Sequence, residues 1–179
     1  ANIEYSGSTE AVRVTITGAY GDEDINTSIT PGTIEETSDE VPGHGATLKI
    51  DGTAVGDKLQ SATLSIENIA RLQRGASQKP IEAIAGNVST SVDMSSIYDG
   101  PERYERVLGS DGATTVEETV ESVPATLSFD VAGSEVASYD IARVAPNTYN
   151  WTDLINNDAD LNEDVTFLGG GVTGSDPTA

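Results

Sequence analysis

The sequence predicts a mainly β domain: a sandwich or barrel of short strands with one short flanking helix and a long loop or arm. Three observations carry that prediction. Runs such as AVRVTIT, ATLKI, ATLSIEN, NVSTSVDM and ATLSFDV alternate apolar and polar residues with period two, as half-buried strands do. Asp51-Gly52 and Gly133 stand between such runs, where hairpin turns favour them. Only SSIYDGPERYERVLG changes to a helical period.

Along the chain, residues 11–17 place Val12, Val14 and Ile16 on one face and Arg13, Thr15 and Thr17 on the other. Residues 18–45 keep no period and hold an acidic run and Pro-Gly turns. So long an excursion is rare in a compact domain, so this arm is expected to order against a neighbouring molecule. Alternation resumes at Leu48 and Ile50, continues at Leu64 and Ile66, and returns after a turn-rich basic loop with Val88, Val92 and Met94. In the helical segment Asp99 or Gly100 caps, Pro101 takes the first position, Glu102 complements the N-terminus and Gly109 stops it. Ile97 packs at its start, Tyr104, Val107 and Leu108 face the sheet, and Arg103, Glu105 and Arg106 face elsewhere. Strands follow with Leu127, Phe129 and Val131 inward, then Tyr139 and Ile141, then a short turn near 151–155 and a last strand with Val165 and Phe167. The expected organisation is residues 1–45 as a strand plus arm, 46–168 as the β core and 169–179 as a flexible tail.

Composition narrows the function. The chain's 179 residues fit one domain, and 36% hydrophobic with 5% aromatic residues gives a thin aliphatic core. Thirty acidic residues against nine basic ones leave a formal charge of −21, spread as 11, 9 and 10 acids over residues 1–60, 61–120 and 121–179. The whole surface is therefore acidic and repels nucleic acid and anionic membrane. Either concentrated salt screens this charge or a negative surface is the protein's task; the scarcity of lysine, found only at Lys49, Lys58 and Lys79, favours salt. Without cysteine there are no disulfides or thiolate metal sites, and no apolar run is long enough to span a membrane as a helix. A start at Ala1 suggests a processed chain or part of a longer product.

Catalytic chemistry is hard to assemble from these residues. The only histidine, His44, sits between two glycines as an exposed loop residue. Acidic pairs such as Glu35-Glu36, Glu117-Glu118 and Asp158/Asp160 read as solvated surface in a chain this acidic. NNDADLNED at 156–164 lacks the glycine and ligand order of a calcium loop, and the glycines at 169–171 precede no lysine or helix. No catalytic residue, cofactor or dedicated metal site is expected. Arg71, Arg74 and Lys79 are too few, and too far from aromatics, for a nucleic-acid face. They suit contact with an acidic surface of the next identical copy better than an internal salt-bridged loop.

The order of ATLSIEN, the loop ARLQRGASQKPIEAIAG, NVSTSVDM, the SIYDGPERYERVLG helix and the strands TLSFDV, VASYDIARVA and DVTFLG resembles, over residues 46–168, the tail tube proteins of long-tailed, siphovirus-like phages. With the acidic, lysine-poor composition it looks like a member from a virus of halophilic archaea. The resemblance implies a structural virion protein of the tail: a β-sandwich-like barrel with a flanking helix, closing hexameric rings that stack into a tube through which genome DNA is ejected. Its implied partners are copies of itself, other virion tail proteins and transiently passing DNA, with no membrane. Residues 70–85 would lie between subunits or rings with Arg71, Arg74 and Lys79 as inter-subunit contacts, and 18–45 would be an inter-ring arm. A wall past which DNA slides should be acidic or small and polar, for which Glu67, Ser89, Ser91, Asp93, Ser128 and Asp130 are candidates. A tail-end or tail completion ring protein of the same fold is one alternative. A secreted halophilic Ig-like adhesion or surface module is another, with formal glycosylation sequons at Asn26, Asn87 and Asn150.

Overall fold

The computed structural model describes residues 2–6, 11–18, 41–67, 69–76, 79–152 and 161–175. Its strands are β1 (Asn2–Ser6), β2 (Arg13–Thr15), β3 (Ala46–Ile50), β4 (Thr53–Ala54), β5 (Leu59–Glu67), β6 (Ala70–Arg74), β7 (Pro80–Ala85), β8 (Ser89–Ile97), β9 (Val123–Val131), β10 (Ser134–Thr152) and β11 (Asn162–Ser175), with one α-helix, α1 (Glu102–Leu108). Nine strands form one sheet in the order β2-β1-β5-β8-β11-β10-β9-β3-β4, while β6 and β7 pair as a separate ribbon. Every pairing is antiparallel.

Alternation decides which face turns inward. Leu48 and Ile50 of β3, Leu64 of β5, Val92 and Met94 of β8, Leu127 and Phe129 of β9, Ile141 and Val144 of β10 and Val165 and Phe167 of β11 meet in one buried cluster. Strands distant in sheet order thus share a core, so the sheet curls over on itself. The long strands permit this: β10 breaks register between Ile141 and Val144 against β9 and between Pro146 and Thr148 against β11. Such bulges bend a strand and let it turn a corner. The two expected hairpins form with both central residues left-handed, Asp51 and Gly52 at φ 54° and 75° and Ala132 and Gly133 at 51° and 83°, the geometry that matches strand twist.

Several expectations are corrected. Residues 11–17 are not a half-buried strand: β2 is a three-residue edge strand, and only Val12 packs against the core while Val14 and Ile16 are 53% and 79% exposed. Among the described residues, only the Ala11–Pro42 bridge and the Val12 N–H donating to the Val41 carbonyl adjoin this segment beyond its pairing with β1, and no apolar layer meets Val14 or Ile16. The basic loop is instead the β6–β7 ribbon, and Val88, expected inward, precedes β8 and is exposed. The C-terminal tail is strand through Ser175: the glycines 169–171 are not a hinge but part of β11, which pairs with β10 from Ser138 to Thr152. A Cβ on Gly169 would lie 2.7 Å from the Arg143 carbonyl oxygen, so a small residue is required for this close pairing. The helix has no side-chain cap; Pro101 stands at its N-cap, and Gly109 ends it at φ 151°. Trp151 and Thr152 continue β10 rather than forming a turn. The main span of the arm at 19–40, the positions 153–160 of the turn and acidic run, Asn26 and residues 176–179 lie outside the described residues.

Candidate functional site

The residues singled out for self-contact do share one element. β6 and β7 pair with Arg71 opposite Ile84 and Arg74 opposite Pro80, and Lys79 lies immediately before β7. All three basic side chains are exposed, and Arg74 and Lys79 also make contacts within the chain. The ribbon's base is closed by the Gly86 N–H donating to the Ile69 carbonyl at 3.0 Å. Ile69 and Ile81 remain 57% and 66% exposed. A two-stranded ribbon without an apolar layer is marginal in water, so this element has surface left to bury.

The candidates for a wall past which DNA slides divide. Register puts Glu67 opposite Ser89, Ser65 opposite Ser91 and Thr63 opposite Asp93, so four of the six share the outer face of β5 and β8. That face continues onto β11, where the Thr166 hydroxyl donates to Asp93 Oδ1 at 2.6 Å. Asp93, Asp164, Thr63 and Thr148 help line a shallow polar depression of about 260 Å³. Ser128 and Asp130 lie on β9, at the other end of the sheet order, and do not join this face. Ser128 is only 7% exposed, which corrects its reading as a wall residue: it is packed between Thr47 and Ser138 in the neighbouring strands.

Sequence reasoning missed a polar network at the other end of β8. Arg103 and Arg106 do not face outward. The Arg103 Nε donates to Glu163 Oε1, and the Arg106 Nη2 donates to Asp51 Oδ2 at 2.9 Å. Glu163 is 0% exposed and also accepts from the Ser96 hydroxyl at 3.0 Å and the Tyr149 hydroxyl at 2.8 Å. Trp151 Nε1 donates to the Tyr149 oxygen at 2.8 Å, and both rings pack on Tyr104, 5.4 Å away in each case. This is a clamp holding α1 to β10 and β11. The signal was available: two of only nine basic residues, spaced i and i+3, fall on one side of a short helix. Among the described residues no three His, Cys, Asp or Glu converge as metal ligands. His44 lies exposed in a single helical turn, Gly43–Gly45.

Burial pushes the Tyr149 hydroxyl well above the ordinary tyrosine range, helped by its hydrogen bond to Glu163 and by that carboxylate's charge. Since the folded value exceeds the unfolded one, this stabilisation is complete below about pH 10 and is lost as pH rises further. Tyr149→Phe should therefore lower stability at neutral pH but flatten the decline between about pH 10 and pH 12, read by urea unfolding at each pH. An equally steep decline in the variant would assign the alkaline limb to other groups.

An apolar groove of about 380 Å³ opens at the root of the ribbon, lined by Ile66, Ile69, Val88, Tyr139 and Val172 over the glycines of β11. Its sequence signal was faint, because its walls come from four separate segments.

No family model and no curated protein matches the chain. Solved structures do. The anti-feeding prophage cap, which terminates that particle's tube, superposes with a TM-score of 0.62 at 15% identity, covering 84% of this chain and 99% of that one. A chain of the sheath–tube complex of the extracellular contractile injection system PVC in its extended state gives 0.61 at 12% identity, over 78% and 94% of the two chains. A chain of the tail of an empty gene transfer agent particle, of C6 symmetry, gives 0.50 at 11% identity over 75% and 96%. The chain thus has the fold of tail-tube and tube-cap proteins.

Proposed function

We propose that this protein is a structural component of a phage-like tail, closing hexameric rings that stack into a tube conducting genome DNA. The observation that carries the reading is an exposed two-stranded ribbon, bearing three basic and several apolar residues on a chain of charge −21, within a fold otherwise found in tube and cap proteins. Copies of the same chain supply the acidic surface that such a ribbon fits. Glu67, Ser89, Ser91 and Asp93 would face the bore: carboxylates and small hydroxyls offer phosphates no holding charge. Other tail proteins would meet the ends of the stack, with no cofactor involved.

A second reading is a tail-end ring. It is favoured by the anti-feeding prophage cap, matched over nearly its whole length. The two readings differ in copy number along the axis: a tube protein stacks without limit, whereas a cap stops at one ring. The composition further suggests a particle assembled in brine, as in viruses of halophilic archaea. Screening lengths fall from about 10 Å at 0.1 M salt to about 3 Å at 1 M, so salt should remove the self-repulsion of this surface.

Electron microscopy of the purified chain across about 0.1 M to about 3 M salt tests the proposal. Sixfold rings and tubes that grow with salt are expected. Single rings would select the cap, and a chain that stays monomeric at every salt and millimolar concentration would abandon both for the adhesion module.

A further inference from the structure

Resting on the reading of a self-stacking protein, we infer that the groove at the root of the β6–β7 ribbon receives residues 114–121 of a second copy, with Val116 and Val120 entering it and Glu118 and Glu121 lying along the basic ribbon. The recipient is defined by its unburied apolar surface. Ile69 and Val88, 57% and 51% exposed, line the open groove beside Ile66, Tyr139 and Val172. Between residues 70 and 85 the sequence carries Arg71, Arg74 and Lys79 against Glu82, three positive charges less one negative, or +2.

The donor is the segment between α1 and β9. It is held along the last turn of the helix by the Glu117 N–H donating to the Leu108 carbonyl and the Glu121 N–H donating to the Gly109 carbonyl, both at 2.7 Å. This fixed backbone presents Val116 81% and Val120 45% exposed, four residues apart. Residues 110–122 contain Asp111, Glu117, Glu118 and Glu121 and no lysine or arginine, a charge of −4. The Glu117 carboxylate is already used, accepting from the Ser110 hydroxyl at 3.0 Å, which leaves Glu118 and Glu121 as the outward acids of residues 114–121. Charge and exposed apolar area coincide on this tied segment, which among the described residues sets two exposed valines beside outward carboxylates.

Position makes the contact intermolecular. The ribbon leaves the sheet at the Glu67 end of β5 and the Ser89 end of β8, whereas α1 follows the Ile97 end of β8. Nine residues of strand place these ends about 26 Å apart. Groove and donor on opposite ends of one molecule form a heterologous, head-to-tail contact, which propagates as a stack. The valines also make the contact tolerant of salt: brine shortens the reach of the charges to registry at close range and leaves apolar burial intact.

The chain has no cysteine, so engineered ones report without background. In the full chain, the double variant I69C/V116C under mild oxidation should give a ladder of covalent multimers, an equimolar mixture of the two single variants should stop at dimers, and neither single variant should crosslink this way. Separately, V116S/E118K should reduce stacked rings about tenfold while single rings still close. Circular dichroism should match the parent, because both positions are exposed. Stacks without a ladder, or V116S/E118K stacking like the parent, overturn this contact and leave the assembly reading in place. A parent chain that closes rings but never stacks also overturns the contact, and a parent that never assembles removes the underlying reading with it.

Discussion

Arg103→Met is expected to cost about 3–5 kcal/mol of folding stability, measured by urea unfolding at neutral pH and constant salt. Glu163 is fully buried, and among the described residues that bond it Arg103 is the cation; Ser96 and Tyr149 supply neutral hydroxyls. Removing the guanidinium leaves a desolvated carboxylate that two neutral donors cannot compensate. The cost is that of an unpaired buried charge rather than the net worth of the pair, which distinguishes this site from exposed pairs worth under about 1 kcal/mol. The double variant Arg103→Met with Glu163→Leu separates the two ideas. It should regain a large part of the loss, since no charge stays buried, and fall short of the parent because Ser96 and Tyr149 lose an acceptor. An Arg103→Met protein within about 1 kcal/mol of the parent would mean that the clamp does not hold α1 in place. The clamp matters beyond stability, since the segment carrying Val116 is tied to the last turn of that helix.

The same contrast explains what the sequence made legible. Leu48, Leu64, Leu127 and Phe167 were found by alternation because each lies on a strand with one buried face, and period two is a direct image of that geometry. The helix was found from Pro101, Gly109 and a changed period. Alternation failed at Val14 and Ile16, since an edge strand keeps the pattern even where no apolar layer among the described residues meets it. It failed again at residues 169–175, where glycine in β11 looked like a tail although close approach to Arg143 requires a residue without a side chain. Among candidate site residues, Arg71, Arg74 and Lys79 stood out as a positive cluster on an acidic chain, and the structure places all three exposed on or beside one ribbon. The Arg103–Glu163 pair was not: its members are 60 positions apart, and a buried acid looks in sequence like any other of the 30 acidic residues. Strand parity puts Glu67, Ser89, Ser91 and Asp93 on one face of β5 and β8, whereas Ser128 follows the same parity on β9 and is nonetheless buried between its neighbours.

Replacing residues 70–85 by Asn-Gly should abolish stacking and leave the domain folded. The graft is geometrically matched, because the Gly86 N–H already donates to the Ile69 carbonyl and two left-handed residues close an antiparallel pair of that kind. Nothing in β6 or β7 belongs to the buried cluster, so the cooperative core loses no apolar area. Unfolding free energy should stay within about 1 kcal/mol of the parent, since the ribbon's own strands are barely stable alone. Assembly has no such reserve. The deletion removes the positive charges that the proposed contact sets against an acidic neighbour, together with the exposed Ile81, and a contact repeated at every subunit multiplies each loss by the number of copies in a ring. Sedimentation velocity in strong salt should show single rings or monomers where the parent runs as long stacks. A deleted protein that stacks like the parent would assign axial contact to other surfaces, and one that unfolds would show that the ribbon supports the sheet rather than its neighbours.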